Sequence, residues 1–182
     1  MTIKLYTKIN QMGCCCSTDS LTLIFFGLCD SGKSTIIGQI EYHSFRVTNP
    51  TIGKEESFSI YRDKQIEIWD ISGREIDNWL DYSKDSDGIV FVIDARDRKE
   101  LPMFVNYSNQ VLNAEDSNHR PILFYINWAS SENAITENEL RSKLNVESRS
   151  NIEIYFQECN AKTGDGIIEG YNWIMSKIEE LY

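Results

Sequence analysis

The sequence predicts an α/β fold, a six-stranded and mostly parallel sheet flanked by helices, and three features carry that expectation. From Leu21 onward, short apolar runs alternate with longer amphipathic stretches, the pattern of strands and helices taking turns around a sheet. Two of the runs, Gly88–Asp94 (GIVFVID) and Pro121–Asn127 (PILFYIN), are almost wholly apolar, as strands covered on both faces must be. A glycine-bearing turn, Gly27–Ser34, joins an apolar strand to a helix.

Taken in order, the first strand is Leu21–Gly27, and the helix that follows the turn is Lys33–His43. Strands Ser57–Tyr61 and Gln65–Asp70 read as a hairpin turning at Arg62–Lys64, because Phe58/Ile60 and Ile66/Ile68 alternate with polar residues. After the strand Gly88–Asp94 comes a helix at Pro102–Asn113. Its proline suits a first turn, where the missing N–H has no partner anyway. The strand Pro121–Asn127, a helix at Glu137–Leu144, the strand Ile152–Glu158 and a helix at Gly166–Leu181 complete the chain. No repeat, low-complexity tract or linker divides it. Residues 1–20 differ in composition and read as a tail outside a folded domain at 21–182.

The totals exclude several function classes. With 182 residues, the chain buries a core without disulfides or metals to staple it. A net charge of −10 argues against nucleic acid as a partner and against purely electrostatic adhesion to an anionic membrane. Cys14, Cys15 and Cys16 are adjacent, a poor disulfide framework, so with Cys29 and Cys159 they point to the reducing cytoplasm. No run approaches the roughly 20 apolar residues of a membrane span, and the first residues lack the apolar core of a secretory signal.

The strongest motif is Gly27-Leu28-Cys29-Asp30-Ser31-Gly32-Lys33-Ser34, which satisfies G-x-x-x-x-G-K-S/T between a strand and a helix. Its glycines let backbone N–H groups curl around a phosphate, and the helix N-terminus adds its dipole. Lys33 is expected to reach β/γ-phosphate oxygens and Ser34 to ligate Mg²⁺, with Thr35 beside it at the head of the helix. Two later segments fit the same chemistry. Asn49-Pro50-Thr51-Ile52-Gly53 supplies a loop hydroxyl, Thr51, for the same metal. Trp69-Asp70-Ile71-Ser72-Gly73 ends a strand with D-x-x-G, which brings Asp70 toward the metal through water and the Gly73 N–H toward the γ-phosphate. Each of the two alone reads equally well as a turn; their order and spacing make the pattern.

With GIVFVIDARDR at 88–98 and TGDGIIEGYNW at 163–173, these segments resemble the Arf-like (ADP-ribosylation-factor-like) small GTPases from Leu21 to Tyr182. The resemblance implies the small-GTPase fold, GTP and GDP as bound nucleotides with Mg²⁺, and a switch that recruits effectors in its GTP state, usually in membrane trafficking. It also implies an exchange factor and an activating protein as partners. On the same ground, Asn127, Ala161 and Lys162 are expected around the guanine base.

The sequence departs from the family at three places. Arg74 stands where the family has the glutamine that orients the attacking water; arginine has donors only and cannot polarise a water in that way. This predicts slow hydrolysis, and it keeps open a nucleotide-bound interaction module that does not turn over. The family's N-K-x-D, whose aspartate reads guanine, is here Asn127-Trp128-Ala129-Ser130. Trp128 offers a stacking face, and Ser130 a single hydroxyl in place of a carboxylate, so the expectation is purine binding with weakened preference for guanine. Glu132 is the acid nearest in sequence that could fold back to substitute. Cys29 takes a place usually held by aspartate.

The effector surface implied by the resemblance comprises Trp69 and Tyr82, with Lys54 where a phenylalanine is expected. Met12-Gly13-Cys14-Cys15-Cys16-Ser17 fits the myristoylation pattern M-G-x-x-x-S/T if translation starts at Met12. The cysteines could then add palmitoyl groups, a second chain that turns marginal membrane binding into anchoring. A start at Met1 leaves Gly13 internal and the tail unmyristoylated.

Overall fold

The computed structural model describes residues 20–45, 48–115 and 119–182. The predicted tail up to residue 19, with Gly13, Cys14, Cys15 and Cys16, lies outside the described residues. The elements are β1 (Leu21–Phe26), α1 (Lys33–Tyr42), β2 (Lys54–Tyr61), β3 (Lys64–Ile71), α2 (Trp79–Ser83), β4 (Gly88–Asp94), α3 (Leu101–Glu115), β5 (Ile122–Asn127), α4 (Glu137–Leu144), β6 (Ile154–Cys159) and α5 (Ile167–Glu179). The strands form one sheet in the order β2-β3-β1-β4-β5-β6. Only the edge pair β2–β3 is antiparallel.

The alternation of side chains across each strand decides the layers. Ile24, Phe26, Phe91 and Phe124 turn to one face, where Trp79 of α2, Phe104 of α3 and Leu140 of α4 cover them. Leu23, Phe25, Val90, Val92 and Tyr125 turn to the other, under Ile36 of α1 and Ile174 of α5. Phe91, Phe124 and Phe156 stack across three neighbouring strands at centroid spacings of 4.9 Å. Full burial of each such side chain stabilises the fold by about 1.5–3 kcal/mol.

Most boundaries fall within two residues of the prediction, and two differences have physical causes. β2 starts at Lys54, three residues before the predicted Ser57, because its ladder with β3 continues to the pair Lys54↔Ile71. The charged run Lys54-Glu55-Glu56 carries no apolar signal for that extension. The one-turn helix α2 was not predicted. Its one buried apolar side chain is Trp79, 1% exposed and stacked on Phe26 at 5.1 Å, and one residue makes no periodicity.

The hairpin tip is a two-residue turn with positive φ at Arg62 (47°) and Asp63 (66°), the twist that antiparallel strands favour. It is tied to α5. Ser59 and the Tyr171 hydroxyl lie 2.6 Å apart, and Arg62 and Lys64 both pair with Glu179, at 2.9 and 3.6 Å. Among the described residues no helix is long and apolar enough to cross a membrane. The parallel strands β1, β3, β4, β5 and β6 all point one way, so their C-terminal loops gather along one rim, where ligands of open α/β sheets bind.

Candidate functional site

The turn after β1 is shaped by what its glycines exclude. A Cβ on Gly27 would sit 2.4 Å from the Val92 carbonyl oxygen. Gly32 holds φ at 95°, where side chains are strained, and caps the first turn of α1. Lys33, 6% exposed, bends back so that its Nζ donates to the carbonyls of Gly27 (2.8 Å) and Leu28 (3.0 Å). Burial pulls its pKa below the usual lysine value, while Asp70, Cys29 and Asp30 work the other way. A buried ammonium on carbonyl partners gains from an anion placed beside it.

Three oxygens from separate elements meet next to that ammonium. Ser34 Oγ donates to Asp70 Oδ2 at 2.5 Å, Thr51 Oγ1 donates to the same oxygen at 3.1 Å, and the two hydroxyls lie 3.2 Å apart. Adjacent ligands of an octahedral Mg²⁺, with bonds of about 2.0–2.1 Å, stand roughly 3 Å apart. Asp70 is 5% exposed, and its Oδ1 has no hydrogen-bond partner. Burial raises its pKa, against the opposing effect of the Ser34 hydroxyl, Lys33 and the Thr51 hydroxyl. An orphaned buried carboxylate oxygen beside two hydroxyls fits a hydrated divalent cation of this kind.

The cleft beside these groups holds about 290 Å³, and Asp30, Lys33, Thr35, Thr51, Gly73 and Arg74 line it. Gly73 packs so tightly that a Cβ there would lie 2.2 Å from the Cys29 backbone nitrogen. Arg74 is exposed at the mouth. Its backbone N–H donates to Ser72 Oγ at 3.3 Å, and its guanidinium has no partner among the described residues.

At the other end of the rim, Asn127, 1% exposed, joins two loops: its Nδ2 donates to the Ser31 carbonyl and its Oδ1 accepts from the Ala161 N–H, both at 3.0 Å. Trp128 follows with φ at 65°, its N–H donating to the Cys159 carbonyl at 3.0 Å. Ser130, Glu132 and Lys162 are exposed. None of these residues lines the cleft. Sequence reasoning missed Arg96. Its guanidinium lies 4.4 Å from the centre of the Trp128 ring and grips Asp94 with Nε and Nη2 at 2.9 and 2.6 Å. No local pattern signals a stack between residues so far apart in sequence.

On the hairpin face, Lys54 Nζ stands 3.6 Å over the Trp69 ring and 2.5 Å from Glu56, while Trp69 Nε1 donates to Glu67 at 2.7 Å. Lys54 thus caps the indole that an aromatic neighbour was expected to flank. Trp69 and Tyr82 are both half-buried against the core.

Comparison with known proteins adds the lineage. The model of the ADP-ribosylation factor family matches residues 7–178. ADP-ribosylation factor F of Dictyostelium discoideum is 30% identical over 161 residues, covering 86% of this chain and 85% of that one. ADP-ribosylation factor-like protein 2 of Arabidopsis thaliana is 29% identical, with 87% of each chain covered. The fold matches the Arl6 BBS3 small GTPase from Trypanosoma brucei, solved with bound GppNp, at a TM-score of 0.77 and 22% identity, over 88% of this chain and 98% of that one.

Proposed function

The chain belongs to the ADP-ribosylation factor family of small GTPases, and from that premise we propose that it is a slow GTP-binding switch that holds GTP or GDP with Mg²⁺. The observation that supports this most is the meeting of Ser34, Thr51 and Asp70 beside the buried Lys33 ammonium. In this reading Lys33 and the amides from Gly27 to Thr35, with Asp30, Ser31 and Gly32 among them, take the phosphate tail. Ser34 and Thr51 hold the metal directly, and Asp70 holds it through water. The metal's contribution is to neutralise charge on the phosphate oxygens. Thr51 and Gly73 come from different loops, so both can sense the terminal phosphate, which is the basis of a switch.

Hydrolysis is the weak step. Arg74 can stabilise developing negative charge but has no acceptor with which to align a water. Asn127, Ala161 and Lys162 frame the base, and Trp128 and Ser130 read guanine poorly. Lys54, Trp69 and Tyr82 form the surface that effectors meet in the GTP state, with membrane trafficking as the setting. Gly13, Cys14, Cys15 and Cys16 supply the lipid anchor when translation starts at Met12.

Single-turnover hydrolysis tests the reading. Arg74→Gln should hydrolyse bound GTP at least tenfold faster than the natural protein, within the range of a positioned acid–base group. A natural protein as fast as the variant overturns the slow-switch proposal. Turnover in neither would support instead a nucleotide-bound interaction module that does not turn over.

A further inference from the structure

The geometry points to Arg96 as a positioning residue of the base site: it braces one face of Trp128 so that the nucleotide's purine ring stacks on the other. The base is then held by face contact rather than by a carboxylate reading its edge. This rests on the nucleotide-switch reading above and adds how the head of the nucleotide is gripped.

The brace is built into the sheet. β4 and β5 run in register to their last residues, Asp94↔Asn127. Just beyond them, the Ala95 N–H donates to the Asn127 carbonyl at 2.8 Å. The segment Asp94-Ala95-Arg96 is thereby locked alongside Asn127-Trp128. Arg96 is fixed twice more, through its backbone N–H on Asp94 Oδ1 at 2.9 Å and through its guanidinium fork on both oxygens of that carboxylate. A fork held in this way spends its N–H groups in its own plane, and its central carbon stands over the Trp128 ring, 4.4 Å from the ring centre. The indole is fixed independently at its backbone, by φ at 65° and the N–H on Cys159.

Trp128 keeps part of its surface in solvent even with Arg96 against one face. It stands immediately after Asn127, the residue that ties the phosphate loop to the Ala161 loop. In this reading, a ring that follows directly on that tie is near enough to meet the base of a nucleotide whose tail lies in the cleft. Ser130 and Lys162 are exposed and contribute no buried edge-reading group. Stacking accepts every base, because each has a π-face, and it grows with ring area. The site therefore favours purines over pyrimidines and separates guanine from adenine weakly.

Binding of GTP, ATP, CTP and inorganic tripolyphosphate, each with Mg²⁺, tests this on the natural protein, Arg96→Ala, Arg96→Lys and Trp128→Ala. Trp128→Ala should weaken GTP and ATP alike by about tenfold or more. Arg96→Ala should weaken both by about threefold, the scale of a solvent-facing cation–π contact, with Arg96→Lys in between. Tripolyphosphate, which has no base, should bind all four proteins equally, and Arg96→Ala should add nothing to Trp128→Ala in the double variant. A purely architectural role for Arg96 would weaken tripolyphosphate as much as GTP, or leave GTP untouched; either result overturns the inference. Should Arg96→Ala not fold, tryptophan emission decides: GTP, but not tripolyphosphate, must quench a component missing in Trp128→Phe and reduced in Arg96→Lys, and equal quenching by both ligands overturns it. If the natural protein binds neither tripolyphosphate nor any nucleotide, the switch reading falls as well; if it binds them and Arg96→Ala is neutral, this inference alone falls.

Discussion

The two ends of the ligand rim are built differently. At the phosphate end, Lys33 and Asp70 are buried, and the Ser34 and Thr51 hydroxyls both donate to Asp70, so each polar group is positioned by another. At the base end only Asn127 is held so firmly, while Ser130 and Lys162 stand in solvent and Trp128 leans on Arg96. Handling a polyphosphate needs buried charges in fixed places, and losing one leaves the others unpaired at a cost of several kcal/mol. Reading a base needs only loop side chains, and those can change without disturbing the sheet. The tail-binding half accordingly has its polar groups locked on one another, and the head-reading half stands more open to solvent.

The contrast can be broken from either side. The largest effect belongs to Lys33→Ala: removing a buried, hydrogen-bonded charge should lower affinity for GTP and for tripolyphosphate by about a hundredfold to a thousandfold. Equilibrium titration that finds the two ligands affected unequally would show that the halves are not separable. Ser130→Asp comes next. A carboxylate at that position gives guanine an acceptor for its N1 and N2 hydrogens, and competition binding should show the GTP-over-ATP preference rising at least tenfold. An unchanged ratio would mean that the base end already discriminates by other means. The smallest effect contrasts the cysteines of the two ends. Cys29 is exposed at the cleft, whereas burial pushes the Cys159 thiol up to about 12. Near neutral pH, site-resolved alkylation should modify Cys29 and spare Cys159, and Mg²⁺ with GTP should slow the Cys29 reaction several-fold. Modification of Cys159 at a comparable rate would mean that the base end opens far more than its packing indicates.

How much of this was legible in the sequence depends on how local each signal is. β1, β4 and β5 could be read because burial on both faces leaves an unbroken apolar run. The phosphate loop could be read because its glycines, lysine and serine are contiguous. Ser34, Thr51 and Asp70 lie on three segments, yet each carries its own short motif, and their oxygens stand within 3.2 Å of one another in the structure. What escaped has no such motif. α2 rests on one tryptophan inserted among aromatics of other strands, and the Arg96–Trp128 stack exists only because β4 and β5 end in register. The capping of Trp69 by Lys54 is of the same kind, since it depends on a ladder that the charged run at 54–56 does not announce.

The fastening of the β2–β3 hairpin to α5 has a mechanical consequence. Sliding the hairpin by two residues would keep every side chain on its face of the sheet, yet it would carry Arg62 and Lys64 about 7 Å from Glu179 and part Ser59 from Tyr171. The C-terminal helix thus opposes such a slide of the strands that link Thr51 to Asp70. Because the ionic half of that fastening faces water and is screened by salt, its hold on the hairpin weakens as the ionic strength rises around a helix remote from the cleft.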